Sequence, residues 1–197
     1  MASARRTAQL GLGAALLLLI ACFAVVVVGL GRSDSSGAAL PGAPARNFRL
    51  PDLNDHVVSL GDLRGRVVVM YFAGLASEPV YDPMLIELAR QFQNESRVAM
   101  LAVYPEPANP AAGIAAALRL HTARGQLPLA TLIDPTLDVS RIYRVDRDPT
   151  CFVIDQSGVI RFRGVLEADG PQDQILNQTR HAIETLLSSA ADESPVS

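Results

Sequence analysis

The chain is poor in the side chains that most redox, metal and nucleophilic chemistry depends on. Its 197 residues include two cysteines, three histidines and no tryptophan, and the domain region has no lysine. Cys22 lies in an N-terminal apolar run and Cys151 far downstream, which argues against an intramolecular disulfide. His56, His121 and His181 are dispersed, and no Cys/His cluster has ligand spacing, so neither a metal site nor a cofactor is expected. The same scarcity weighs against a serine nucleophile, which needs a His or Lys base within hydrogen-bond reach. Net charge is -3 and basic residues form no stripe, which removes electrostatic support for nucleic-acid binding.

What the chain does have is a long uncharged run. Residues 8–30 (AQLGLGAALLLLIACFAVVVVGL) carry no charge and exceed the roughly 20 apolar residues that cross a bilayer core. Arg5 and Arg6 precede the run, which places residues 1–7 in the cytoplasm and the rest outside by the positive-inside bias. A cleaved signal peptide would have a shorter apolar core of about 7–15 residues. Leu19-Ile20-Ala21-Cys22 also resembles a lipoprotein box, but the residues after Cys22 stay apolar. A retained single-pass anchor is favoured over cleavage or lipidation, and all three leave the domain on the extracytoplasmic side.

Residues 31–46 (GRSDSSGAALPGAPAR) read as a flexible linker, rich in small residues and proline. A single domain is expected over residues 47–187, with a disordered polar tail at 188–197. Its first pieces are extended, Phe48–Leu50 and Val57–Leu60. Val67–Phe72 is a continuous β-branched and aromatic run of the kind found in strands covered on both faces. Apolar residues at helical spacing predict a helix from Pro79 to Gln93. Further strands are predicted at Val98–Val103, Leu129–Ile133, Cys151–Ile154 and Val159–Val165, the last two joined by a tight turn at Asp155-Gln156-Ser157-Gly158. Helices are predicted at Ala111–Arg124, Thr136–Tyr143 and Pro171–Leu187. This alternation predicts an α/β sandwich with a mixed central sheet flanked by helices.

Several segments, in order, resemble one family. Gly42-Ala43-Pro44-Ala45-Arg46-Asn47-Phe48-Arg49-Leu50 is similar to G-x-x-A-P-x-F-x-L, with Pro44 displaced by one. Val58 to Val69 (VSLGDLRGRVVV) matches V-x-L-x-D-L-x-G-K-x-V-V-V. Leu132-Ile133-Asp134-Pro135 and Ile142-Tyr143-Arg144-Val145 resemble L-x-D-P and A-Y-x-V. Asp148 to Ile160 (DPTCFVIDQSGVI) resembles P-T-x-F-x-I-D-x-x-G-x-I. Together they resemble membrane-anchored thioredoxin-like oxidoreductases and the redoxins of the alkyl hydroperoxide reductase/thiol-specific antioxidant type, over about residues 42–187. The resemblance implies a thioredoxin-like fold and a cis Pro149 beside the active-site pair. It also implies an exposed backbone before that proline, at Asp148, that receives an extended substrate strand.

The departure is at the chemical centre. The resemblance places a Cys-x-x-Cys pair at the helix start, where this chain has Ser77, Glu78, Pro79 and Val80. Dithiol exchange needs a thiolate and a resolving thiol, and neither Ser77 nor Val80 supplies one. Ser77 is expected to cap the helix beginning near Pro79. Glu78 and Asp82, in the first helical turn, are expected to complement the helix dipole. Arg161 and Arg163 read as a solvated edge face. Cys151 reads as a buried, inert thiol. The expected function is a non-catalytic module that binds a protein or peptide partner through Pro79, Asp148, Pro149 and Thr150. The rival is a thiol–disulfide oxidoreductase or peroxiredoxin-like antioxidant protein using Cys151.

Overall fold

A computed structural model of the chain describes residues 39–74, 82–106, 113–124, 129–145, 149–167 and 170–192. The chain divides into two units, Met1–Gly37 and Ala38–Ser197, and the described residues belong to the second. The anchor expected at residues 8–30 lies outside them; among the described residues no helix is long and apolar enough to cross a membrane.

A hairpin of β1 (Arg49–Pro51) and β2 (Val57–Ser59) leads through a 3₁₀ turn (Leu60–Leu63) into the central strand β3 (Val67–Phe72). Then come α1 (Pro83–Gln91), β4 (Val98–Pro105), α2 (Ile114–Arg124), β5 (Ala130–Asp134), α3 (Asp138–Ile142), β6 (Thr150–Ile154), β7 (Ile160–Val165) and α4 (Gln172–Asp192). The five-stranded sheet has the order β5-β4-β3-β6-β7. β3, β4 and β5 run parallel, while β6 and β7 are antiparallel, giving the mixed α/β sandwich that the alternation predicts.

All six residues of β3 are buried, because both faces of the sheet are covered. Side chains alternate between faces along a strand. Val67, Val69 and Tyr71 therefore pack with Leu85 and Leu88 of α1 and Ile183 of α4. Val68, Met70 and Phe72 pack on the other side with Leu101, Leu132, Tyr143 and Phe152. On that side the Tyr143 ring lies 5.3 Å from both Phe72 and Phe152.

The β6–β7 turn is built around one carboxylate. Asp155 Oδ1 accepts from the Val159 N–H (2.8 Å) and the Ser157 hydroxyl (2.7 Å), and Oδ2 accepts from Arg161 Nε (2.6 Å). Gly158 takes φ +82°, a left-handed conformation that favours glycine, and the Arg64 guanidinium, which donates to the Ser157 carbonyl, lies against it. Burial pushes the Asp155 carboxyl up, but these donors and Arg161 bring it below the usual value. A depressed folded-state pKa stabilises the fold above the unfolded value of about 3.9 and is lost as pH falls through the folded value. Asp155→Asn should therefore flatten the loss of stability on acidification below about pH 4, as urea unfolding at a series of pH values would show. An unchanged acid limb would assign that loss to other carboxylates.

Four expectations change. Residues 39–46 are not linker: the Gly42 N–H donates to the Ile160 carbonyl (2.7 Å), the Ile160 N–H to Ala43 (2.9 Å) and the Ala45 N–H to Gly158 (2.9 Å), with Ala39 and Ala45 buried. The helix after β3 starts at Pro83, not near Pro79, because Asp82 caps it and Pro83 takes the first turn. The last helix runs through Asp192, so residues 188–192 belong to it and not to a disordered tail. Arg161 and Arg163 are not simply solvated. Arg161 pairs with buried Asp155, and the Arg163 guanidinium sits 5.8 Å from the Phe152 ring centre.

Candidate functional site

The region of interest is the end of β3 with the start of β6 beside it. Phe72 pairs with Thr150 and Tyr71 with Cys151, so the β6 segment that follows Pro149 lies against the strand leading to the helix. The Pro149 carbonyl already accepts the Leu166 N–H at 2.8 Å. Thr150 is buried between β3 and β7, and Pro149 is half-buried. A partner strand would have to use the backbone before Pro149. That position, Asp148, and Ser77, Glu78, Pro79 and Val80 lie outside the described residues, as does the geometry of the Asp148–Pro149 bond.

Cys151 faces inward. By strand parity it shares a face with Tyr71, Val153, Leu85 and Ile183, under α1 and α4, and is 1% exposed. Burial pushes its thiol up to about 12; the neighbouring Thr179 hydroxyl offsets part of this, and the Asp82 charge adds to it. Reactive cysteines are electropositive and accessible, and this one is neither. It is the one thiol among the described residues.

The polar group at the helix start is a carboxylate. Asp82 Oδ1 accepts the Met84 N–H at 2.7 Å, and Oδ2 accepts the Tyr71 hydroxyl at 3.2 Å. Burial and the Asp82 charge hold the Tyr71 phenol well above its ordinary value, so it stays a proton donor. The helix terminus that would stabilise a thiolate is thus occupied by an acidic side chain from the chain itself. Sequence alone predicts Asp82 inside the first turn and the cap at Ser77; the helix takes its cap from Asp82. The sequence marks Tyr71 only as part of the buried Val67–Phe72 run. The signal was present in Asp82-Pro83, a cap residue directly before a first-turn proline. Thr179, buried on α4, carried no such signal.

The profile of the AhpC/TSA family matches residues 41–163. No curated protein matches the chain significantly. Among solved structures it is similar to a candidate thiol:disulfide interchange protein DsbE from Chlorobium tepidum, at 23% identity over 73% of this chain and 98% of that one, with a TM-score of 0.57. An uncharacterized conserved protein from Geobacillus kaustophilus aligns with a TM-score of 0.63 and 22% identity, over 76% of this chain and 83% of its own. A candidate thioredoxin from Neisseria meningitidis aligns at 26% identity, over 70% of this chain and 88% of its own, with a TM-score of 0.54. These likenesses establish the thioredoxin-like fold. The family match spans more than half of the sequence, and the chain therefore belongs to the AhpC/TSA family.

Proposed function

We propose that the domain is a thioredoxin-like partner-binding module without dithiol chemistry, tethered outside the cytoplasmic membrane by residues 8–30. The observation that carries this reading is the state of Cys151: 1% exposed, raised to about 12 and packed beneath two helices. Thiol–disulfide exchange runs through a thiolate that reaches the partner's sulfur, and this thiol offers neither ionisation nor access. The absence of cysteine at Ser77 and Val80 supports the same reading. What remains is a redoxin frame whose β6 start, at Pro149 and Thr150, is positioned against the end of β3. The proposed occupant is an extended segment of a protein or peptide at the outer membrane surface.

The test is site-specific photocrosslinking on the membrane-bound full-length protein. A photoreactive residue replaces exposed Glu167, next to the Leu166 N–H that bonds Pro149, or exposed Val57 on the distant first hairpin. A discrete adduct at Glu167 that is missing at Val57, in a protein that reduces no protein disulfide, is the expected outcome. Disulfide reduction that disappears in Cys151→Ser would overturn the reading and make this a one-cysteine oxidoreductase. No adduct at Glu167 would equally reject the binding surface.

A further inference from the structure

A cavity among the described residues lies away from Pro149. It has a volume of about 500 Å³ and lies where the β1–β2 turn, α2 and the start of β5 meet, lined by Asp52, Leu53, Asn54, Arg119, Leu129 and Ala130 among others. In the strand order β5-β4-β3-β6-β7, β5 is three strands from the β6 segment that follows Pro149. The volume is within the ordinary range for small-molecule sites.

Its two charges are not equivalent. The Asp52 carboxylate is committed within its own turn: Oδ1 accepts the Asn54 N–H (2.8 Å) and the His56 N–H (2.9 Å), and Oδ2 faces His56 Nδ1 at 3.4 Å. Arg119 is differently placed. Its Nε donates to the Leu53 carbonyl at 2.7 Å, which fixes the plane of the guanidinium, and among the described residues no carboxylate pairs with it. The cavity thus holds a carboxylate committed to its own turn and one oriented cation that no carboxylate among the described residues pairs with. Buried Leu53 and half-buried Leu129 and Ala130 supply apolar surface beside it.

This combination selects a ligand class. One guanidinium, oriented through Nε and with no partner on its terminal N–H groups among the described residues, suits one carboxylate. A phosphate ester would call for more than one cation or a helix N-terminus, and Arg119 lies inside α2, away from its start. No aromatic side chain lines the cavity among the described residues, so a nucleobase has no stacking platform. We propose that this cavity binds a small organic monocarboxylate, with the carboxylate on Arg119 and the hydrocarbon part against Leu53, Leu129 and Ala130. The site is separate from the surface around Pro149 and does not depend on what binds there.

The test is saturation-transfer NMR on full-length protein in nanodiscs, with empty nanodiscs as blank and hexanoate as the probe. Hexanamide, the same chain without the charge, is the control. The expected result is saturation of the hexanoate methyl end, binding in about the millimolar range, and at least about ten-fold weaker binding in Arg119→Gln. Arg119 is exposed, so its replacement leaves the core intact, and a thermal melt verifies this. If the Gln variant melts early, Arg119→Lys, which retains the charge but not the fork, must still bind hexanoate more tightly than hexanamide. Equal binding of hexanamide, unchanged affinity in Arg119→Gln, or no transfer up to about 20 mM hexanoate would each overturn the proposal.

Discussion

Iodoacetamide should modify Cys151 in the native protein on the order of 10³-fold more slowly, near pH 7.5, than in the urea-unfolded chain. The reason is arithmetic on the thiolate. An ordinary thiol near 8.5 is about a tenth ionised at that pH, whereas one near 12 is ionised to about 3 parts in 10⁵. Burial, which leaves the side chain 1% exposed, adds a steric barrier on top. Peptide mapping separates this residue from Cys22. The same shift has a sign in stability. A thiol whose folded pKa is raised stabilises the native state fully below the unfolded value, and that contribution is lost as pH rises from about 8.5 towards 12. Rapid native labelling would mean that the packing under α1 and α4 opens readily, and would return Cys151 to the list of working thiols.

Cys151 also shows where sequence reasoning succeeds and where it stops. A cysteine at the start of a strand flanked by apolar residues reads as buried, and it is. Which face it points to is a question of parity, and parity has meaning only once the covering helices are placed. Cys151 and Val153 fall under α1 and α4, whereas Phe152 and Ile154 fall on the side of Tyr143. The strand Val67–Phe72 was legible for a stronger reason: an unbroken apolar run has no alternative home when both faces must be dry.

The misread stretches are those held by backbone or by single polar contacts. Residues 39–46 have the composition of a linker, yet they bond to β7 through main-chain groups that composition does not report. Past Leu187 the helix loses its apolar spacing but continues through Asp192, with the Ser188 and Ser189 hydroxyls donating to the carbonyls of Thr185 (2.9 Å) and Leu186 (3.2 Å). At the site the difficulty was competition. Ser77-Glu78-Pro79 and Asp82-Pro83 both carry a helix-start signature within a few residues. The second prevails with support from the Tyr71 hydroxyl, a contact across eleven positions that no local window contains.

That contact gives the second large expectation. A thiol placed at position 82, in Asp82→Cys with Cys151→Ser and Cys22→Ser, should titrate well below 8.5, within the range of about 3.5–7.5 seen for cysteines at helix N-termini. Two donors account for it: the Met84 N–H and the Tyr71 hydroxyl, both of which bond the Asp82 carboxylate in the native chain. The helix dipole favours the anion as well. The readout is the midpoint of the alkylation rate against pH. Adding Tyr71→Phe removes one donor and should raise the midpoint while keeping it under the value of a free thiol. A midpoint at or above about 8.5 in the Asp82→Cys protein would show that this helix start no longer stabilises an anion. A low midpoint carries the opposite lesson. The frame would still hold the electrostatics that a redox thiol requires, here directed at a carboxylate that caps the helix and cannot exchange disulfides.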